Sequence, residues 1–138
     1  MILHKGETPL HIACINNNIK LTKFLIKNGA NINIKCNTKY YCIPLHMACN
    51  MQYYELVKFL IKNGADVNQL SNYYTPLQIS FRNHNLEISK YLIENGANRY
   101  IESPNDYLTG NFEFLTFLIN YGVNINSFSV INTCYDEN

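Results

Sequence analysis

The 138-residue sequence predicts an all-α solenoid, in which helix pairs stack side by side and project β-hairpin fingers from one edge. Three observations carry that expectation. A seven-residue opening, Thr8-Pro9-Leu10-His11-Ile12-Ala13-Cys14, returns as Ile43-Pro44-Leu45-His46-Met47-Ala48-Cys49 and, more loosely, as Thr75-Pro76-Leu77-Gln78-Ile79-Ser80-Phe81. An apolar block ending in Gly follows each opening: Leu21 to Ala30, Leu56 to Ala65 and Ile88 to Ala97, with a fourth version from Phe114 to Val123. The opening and its Gly stand 21 residues apart in all three complete units, whereas the Gly residues that end the four blocks are 35, 32 and 26 apart. The unit is therefore rigid inside, and only the connections vary.

Each opening reads as a short first helix. Thr8 and Thr75 can accept a hydrogen bond from an early helix N–H, and Pro9, Pro44 and Pro76 follow where a missing N–H costs nothing. The second block places Leu21, Phe24 and Leu25 at i, i+3 and i+4, an apolar stripe expected to bury one helix face. Gly29, Gly64, Gly96 and Gly122 end these stripes, where a left-handed cap belongs. The Gly-Ala-Asn-Ile-Asn and Gly-Ala-Asp-Val-Asn stretches then turn the chain into an extended finger. One pair cannot cover its own apolar face, so about three or more units must stack to form a core.

The units run over residues 4–37, 38–70, 71–99 and 100–126, giving an array over 1–126 and a tail over 127–138. The fourth unit departs most. Gly96 and Gly110 are 14 apart where the regular spacing needs 21, so its first helix is either a single turn or a loop. Its second helix is expected over Phe112 to Asn120. Residues 127–138 carry no marker and are expected to fray or to begin an abandoned unit. Neither end carries an evident polar capping unit, which points to marginal stability or to a partner at an open end.

These residues and spacings resemble the ankyrin repeat, whose period of about 33 residues opens on Thr-Pro-Leu-His. The resemblance covers roughly residues 4 to 126. It implies that the opening Thr and His hydrogen-bond within and between units, a role that falls on Thr8, His11, His46 and Thr75. Ile43 replaces the Thr and Gln78 replaces the His, leaving those two ties open. The resemblance also implies a non-catalytic protein–protein interaction module whose partner meets the fingertips and the exposed side of each first helix. Carried over by offset, those positions are Lys5, Glu7, Ile15 and Asn16 in the first unit, with His4 beside them. They continue as Lys39, Tyr40, Asn50 and Met51, then Asn72, Tyr74, Arg82 and Asn83. Tyr and Arg suit interface hot spots and Met suits adaptable contacts. The same residues also suit a merely solvated face. The first finger, carrying Cys36 to Tyr41, is longer than the repeat norm.

The composition rules out several function classes. Lys+Arg 11 against Asp+Glu 10 gives a net charge of +1, with no footprint for nucleic acid and no basic cluster for an anionic membrane. No apolar run approaches the roughly 18 residues of a membrane span, and Met1 to Glu7 lacks the apolar stretch of a signal peptide. The 22 Asn are dispersed, the longest run being Asn16-Asn17-Asn18. Prion-like behaviour needs tracts, so a genome rich in AT codons explains the excess of Asn, Ile, Lys, Tyr and Phe better. Taken with the repeat, that bias resembles ankyrin proteins of large DNA viruses or intracellular parasites. The resemblance then implies a host protein as partner and the host cytoplasm as location. A second reading is an adaptor that recruits a host ubiquitin ligase; Ser127 to Asn138 is too short and polar for a helical docking box, so it would use the open fourth unit.

Five Cys raise a metal reading, because Cys36, Cys42, His46 and Cys49 lie within 14 residues. The Cys-x₅-Cys-x₃-His-x₂-Cys spacing lacks the close Cys pair of structural zinc sites. Cys49 matches Cys14 at an inward position of the first helix, as a buried structural thiol would. The odd count follows the repeats rather than a disulfide framework, which fits a reducing cytosol. Nucleophile–His–acid sets can be drawn from Cys42, His46 and Glu55, or from Cys14, His11 and Glu7. Both His sit in repeat openings, and no phosphate loop is present, so neither catalysis nor a cofactor is expected.

Overall fold

The structure, a computed structural model, describes residues 6–37, 41–100 and 112–123. The described residues form seven helices: α1 (Pro9–Ile15), α2 (Ile19–Lys27), α3 (Pro44–Asn50), α4 (Tyr54–Lys62), α5 (Pro76–Arg82), α6 (Leu86–Glu94) and α7 (Phe112–Asn120). No helix among them is long and apolar enough to cross a membrane. The expectations for residues 1–5, 38–40, 101–111 and 124–138 fall outside the described residues. They include the first helix of the fourth unit and the tail.

Each first helix starts on a Pro that follows an extended residue, Thr8, Ile43 or Thr75. It ends after two turns because the chain then passes through a left-handed residue: Asn17 (φ 52°), Gln52 (φ 60°) or His84 (φ 49°). Asn tolerates that region better than Gln, since its short amide bonds locally. The turn is locked by Asn18 N–H on Ala13 O (2.8 Å), Tyr53 N–H on Ala48 O (3.0 Å) and Asn85 N–H on Ser80 O (3.0 Å). Asn18 and Asn85 then cap the second helix, accepting from Leu21 N–H and Ile88 N–H at 3.0 Å each.

The second helices end alike. Asn28, Asn63 and Asn95 donate their side-chain amides to the carbonyls of Phe24, Phe59 and Tyr91 at 2.7–2.8 Å. Gly64 follows at φ 95°, and a Cβ built there would meet nothing within 4 Å, so backbone conformation alone demands Gly. The next N–H reaches back over the cap: Ala30 to Leu25 O, Ala65 to Leu60 O and Ala97 to Leu92 O, 3.0 Å each, as in the Schellman closure.

The first helices α1, α3 and α5 pack in a row, with each second helix behind its partner and α4 against α6. Leu10, Leu45, Leu77, Leu56, Leu60, Ile88 and Leu92 form the buried spine, joined by Leu118 and Val123 from the last helix and its cap. One expectation needs correcting at α2. Leu21 is 38% and Phe24 61% exposed, so of the predicted stripe only Leu25 packs against the core. Leu56 and Ile88, at the register of Leu21, are fully buried because a helix pair precedes them in the stack. No helix pair precedes α2 among the described residues.

The described residues hold no β-strand. The finger between the second and third units closes on a single antiparallel bridge, Ser71 to Tyr74, with bonds of 2.9 and 3.0 Å. Asn72 (φ 49°) and Tyr73 (φ 67°) lie between, and positive φ at both central residues is the signature of a type I′ hairpin turn. The first finger closes through Cys36 N–H on Cys42 O (3.0 Å), with three more residues in its loop.

Candidate protein-binding face

Fingers and first helices make one surface only if they are tied to each other, and polar groups make the ties. Thr8 N–H donates to His11 Nδ1 at 3.0 Å, and the Thr8 hydroxyl lies 2.9 Å from the same nitrogen. A backbone N–H can only donate, so Nδ1 is the bare nitrogen and Nε2 carries the proton. That proton faces the carbonyls of Cys42 (3.0 Å) and Ile34 (3.2 Å), which puts one buried ring between its own finger and the start of the next unit.

His46 repeats half of this arrangement. Its Nε2 donates to Tyr74 O at 3.1 Å, but Nδ1 is buried without a partner among the described residues. The hydroxyl that stands at Thr8 is missing from Ile43, which is itself buried. Burial pushes His46 down to about 4, against the pull of the Tyr74 and Gln69 carbonyls and of Asp66. Gln78 keeps the other half. Its Oε1 accepts Thr75 N–H at 2.8 Å while its own N–H reaches Thr75 Oγ1 at 3.3 Å, a reciprocal capping box.

A second set of ties runs along the finger bases. Asn33 accepts Asp66 N–H (2.8 Å) and donates to Gly64 O (3.4 Å). Asn68 does the same one unit later, with Asn98 N–H (2.7 Å) and Gly96 O (3.1 Å). Within each turn Asn31, Asp66 and Asn98 accept the N–H two residues on, at 2.9–3.0 Å. The next rung would start from residue 100, four after Gly96, and there the sequence has Tyr100. Sequence reasoning placed Asn33 and Asn68 in the turn without seeing that they bridge units; their recurrence four residues after Gly was the available signal.

On this frame the expected face residues spread unevenly. Lys5, Lys39 and Tyr40 lie outside the described residues. Ile15 and Asn16, Asn50 and Met51, and Arg82 and Asn83 occupy the C-terminal ends of α1, α3 and α5, which the packing of those helices sets in a row. Ile15 and Met51 are partly exposed apolar points, 36% and 45%. Asn16 caps its helix through Ile12 O, and half-buried Asn83 donates toward the carbonyls of Cys49 and Asn50, so both amides are partly spent on structure. Glu7 is half-buried. Arg82 bonds Tyr41 Oη at 3.1 Å and sits 5.2 Å above the ring of half-buried Tyr74. The outward aromatic of that finger is instead Tyr73, 91% exposed at the turn's tip. The type I′ turn flips the pointing residue by one, which an offset count cannot see.

The Cys and His residues serve the interior. Cys36 and Cys42 pack with Met47 in a small cluster, whereas Cys14 and Cys49 lie in the main core. Among the described residues, no three His, Cys, Asp or Glu side chains converge on a point that could hold a metal. Burial pushes the Cys14 thiol up to about 11 and the Cys49 thiol higher still, the reverse of an activated nucleophile.

The family profile described as ankyrin repeats (3 copies) matches residues 2–71 and again residues 45–129, so the two matches together span nearly the whole chain. No curated protein matches the chain.

Proposed function

The chain belongs to the ankyrin-repeat family, generally protein–protein interaction modules and typically non-enzymatic scaffolds, and from that premise we propose that it binds a partner protein on the finger and first-helix face. The observation that carries this reading is Tyr73. A bulky residue held at φ 67° carries backbone strain of about 1–3 kcal/mol, and here it leaves the ring in water at a fingertip. Exposed Met51 and Ile15 and the stacked Tyr74–Arg82 pair continue the same surface. The ties through His11, His46, Asn33 and Asn68 hold it ready-made, so little ordering cost falls on binding. A cytoplasmic setting suits the four buried thiols, which act as small apolar side chains. A host protein is the partner if the AT-rich codon usage marks a viral or parasite genome.

The test is affinity capture from cytosolic extract with the wild type and with a Tyr73→Ala, Met51→Ala double variant. Both side chains point into solvent, so the variant is expected to melt within a few degrees of the wild type while losing most of the captured protein. Equal capture by both forms would place the interface elsewhere.

A further inference from the structure

Two stretches of the chain are identical over eight residues and differ in what surrounds them: Lys23-Phe24-Leu25-Ile26-Lys27-Asn28-Gly29-Ala30 and Lys58-Phe59-Leu60-Ile61-Lys62-Asn63-Gly64-Ala65. Both close a second helix on Asn-Gly, a pair prone to spontaneous deamidation because Gly has no Cβ to hinder its nitrogen. We infer that Asn28 is a modification site: it deamidates in the folded chain through local opening of the α2 cap, whereas Asn63, in the same local sequence, is held closed by its neighbours. In the reaction the Gly29 nitrogen attacks Asn28 Cγ and passes its proton to Nδ2. The new N–Cγ bond closes a succinimide ring, the Cγ–Nδ2 bond breaks and ammonia leaves. Water then opens the ring, at Cγ to give aspartate or at the backbone carbonyl carbon to give isoaspartate. Nothing is oxidised or reduced.

The closed cap blocks this reaction at both sites. ψ is 19° at Asn28 and 17° at Asn63, which brings each Asn's own backbone nitrogen, rather than its Cβ, nearly in line with the Gly nitrogen. Ring closure needs the reverse. The carboxamides are turned away, donating to Phe24 O at 2.7 Å and to Phe59 O at 2.8 Å. The attacking N–H groups are spent on Ile26 O (3.1 Å) and Ile61 O (3.2 Å). Both Asn side chains are exposed, so water reaches them alike, and the free energy of opening separates them. Leu60 and Ala65 are buried where Leu25 and Ala30 are only half-buried, and Phe59 is half-buried where Phe24 stands in water. Asn33 also pins the turn after Gly64, donating to Gly64 O (3.4 Å) and accepting Asp66 N–H (2.8 Å). Among the described residues, no side chain of an earlier unit pins the turn after Gly29. Slow chemistry on an open state follows the population of that state, so the α2 cap reacts first. The product then keeps the cap open. A carboxylate at position 28 cannot donate to Phe24 O and sets negative charge at the negative end of the helix dipole. Isoaspartate adds a backbone carbon inside the closure of Ala30 N–H on Leu25 O (3.0 Å).

The experiment incubates the full chain near neutral pH at body temperature, native and in urea, and follows both sites by mass spectrometry after brief digestion under mildly acidic conditions. Tryptic cleavage places the sites in different peptides, 28–35 and 63–82, and fragmentation assigns the modified Asn. Labelling by an isoaspartate-specific methyltransferase identifies the isoaspartate product. In urea the identical flanks are expected to give both sites one rate. In the native chain both are expected to slow, with Asn28 reacting about tenfold faster than Asn63 or more. Asn28→Asp, which makes one product directly, is expected to lower the melting temperature by a few degrees. Equal native rates, a faster Asn63, an unreactive Asn28, a native Asn28 as fast as in urea, or unequal rates in urea each overturn the proposal. A wild-type melt in Asn28→Asp overturns the link from modification to opening.

Discussion

At the scale of the residue, Asn changes meaning. From the sequence its excess reads mostly as a mark of codon usage, although Asn just before each cap Gly and in the turn after it already suits the local backbone. In the folded chain Asn17 holds a left-handed turn, Asn18 and Asn85 cap helices, Asn28, Asn63 and Asn95 close helix ends, and Asn33 and Asn68 bridge units. Removing a bridge is therefore costly even on the surface. Asn68→Ala should lower unfolding free energy by about 1–2 kcal/mol in urea titration, since it breaks two bonds between neighbouring units. An exposed helical Asn without such bonds among the described residues, such as Asn120, should tolerate the same change within about 0.5 kcal/mol. His46 makes a pH prediction. Its folded pKa is depressed, so the unfolded chain takes up the proton first. Its contribution is complete above the unfolded value near 6.5 and is lost as pH falls toward 4. Between pH 7 and pH 5 this removes about 2 kcal/mol, and His46→Gln should remove that part of the slope. An unchanged slope in the variant would mean that the ring is not the group responsible.

At the scale of the element, the helices were legible and their surroundings less so. The expected second helix of the fourth unit, Phe112 to Asn120, coincides with α7, because an apolar period and a Gly stop are local signals. Whether a stripe is buried is not local. Leu21 and Leu56 have the same register within their blocks, but only Leu56 has a helix pair before it in the described stack. The finger shows the same limit, since an offset count finds Asn72 and Tyr74 but not which aromatic the turn sends outward. The left-handed residues between paired helices escaped notice too, because Asn17, Gln52 and His84 share no Gly to mark them. Where Gly does mark the position, the demand is sharp. Gly64→Val should cost about 2 kcal/mol and lower the melting temperature by about 6 °C, through backbone conformation, because a Cβ there meets nothing within 4 Å. A wild-type melt would refute the cap.

At the scale of the molecule, one rule explains both stability and function: each unit finishes its neighbour. Buried imidazoles bind the next unit's start, Asn side chains bind the next unit's turn, and apolar spines are sealed by stacking. That leaves the fingers and first helices free for the contact proposed above, with strained Tyr73 at their edge. The central claim is that this side, rather than the second helices, meets a partner. Site-specific photocrosslinking tests it most directly, with benzoylphenylalanine placed in turn at position 73 on the finger and position 87 on α6, followed by irradiation in cytosolic extract. A discrete adduct from position 73 and none from position 87 is the predicted result; an adduct from position 87 with none from position 73 would contradict it.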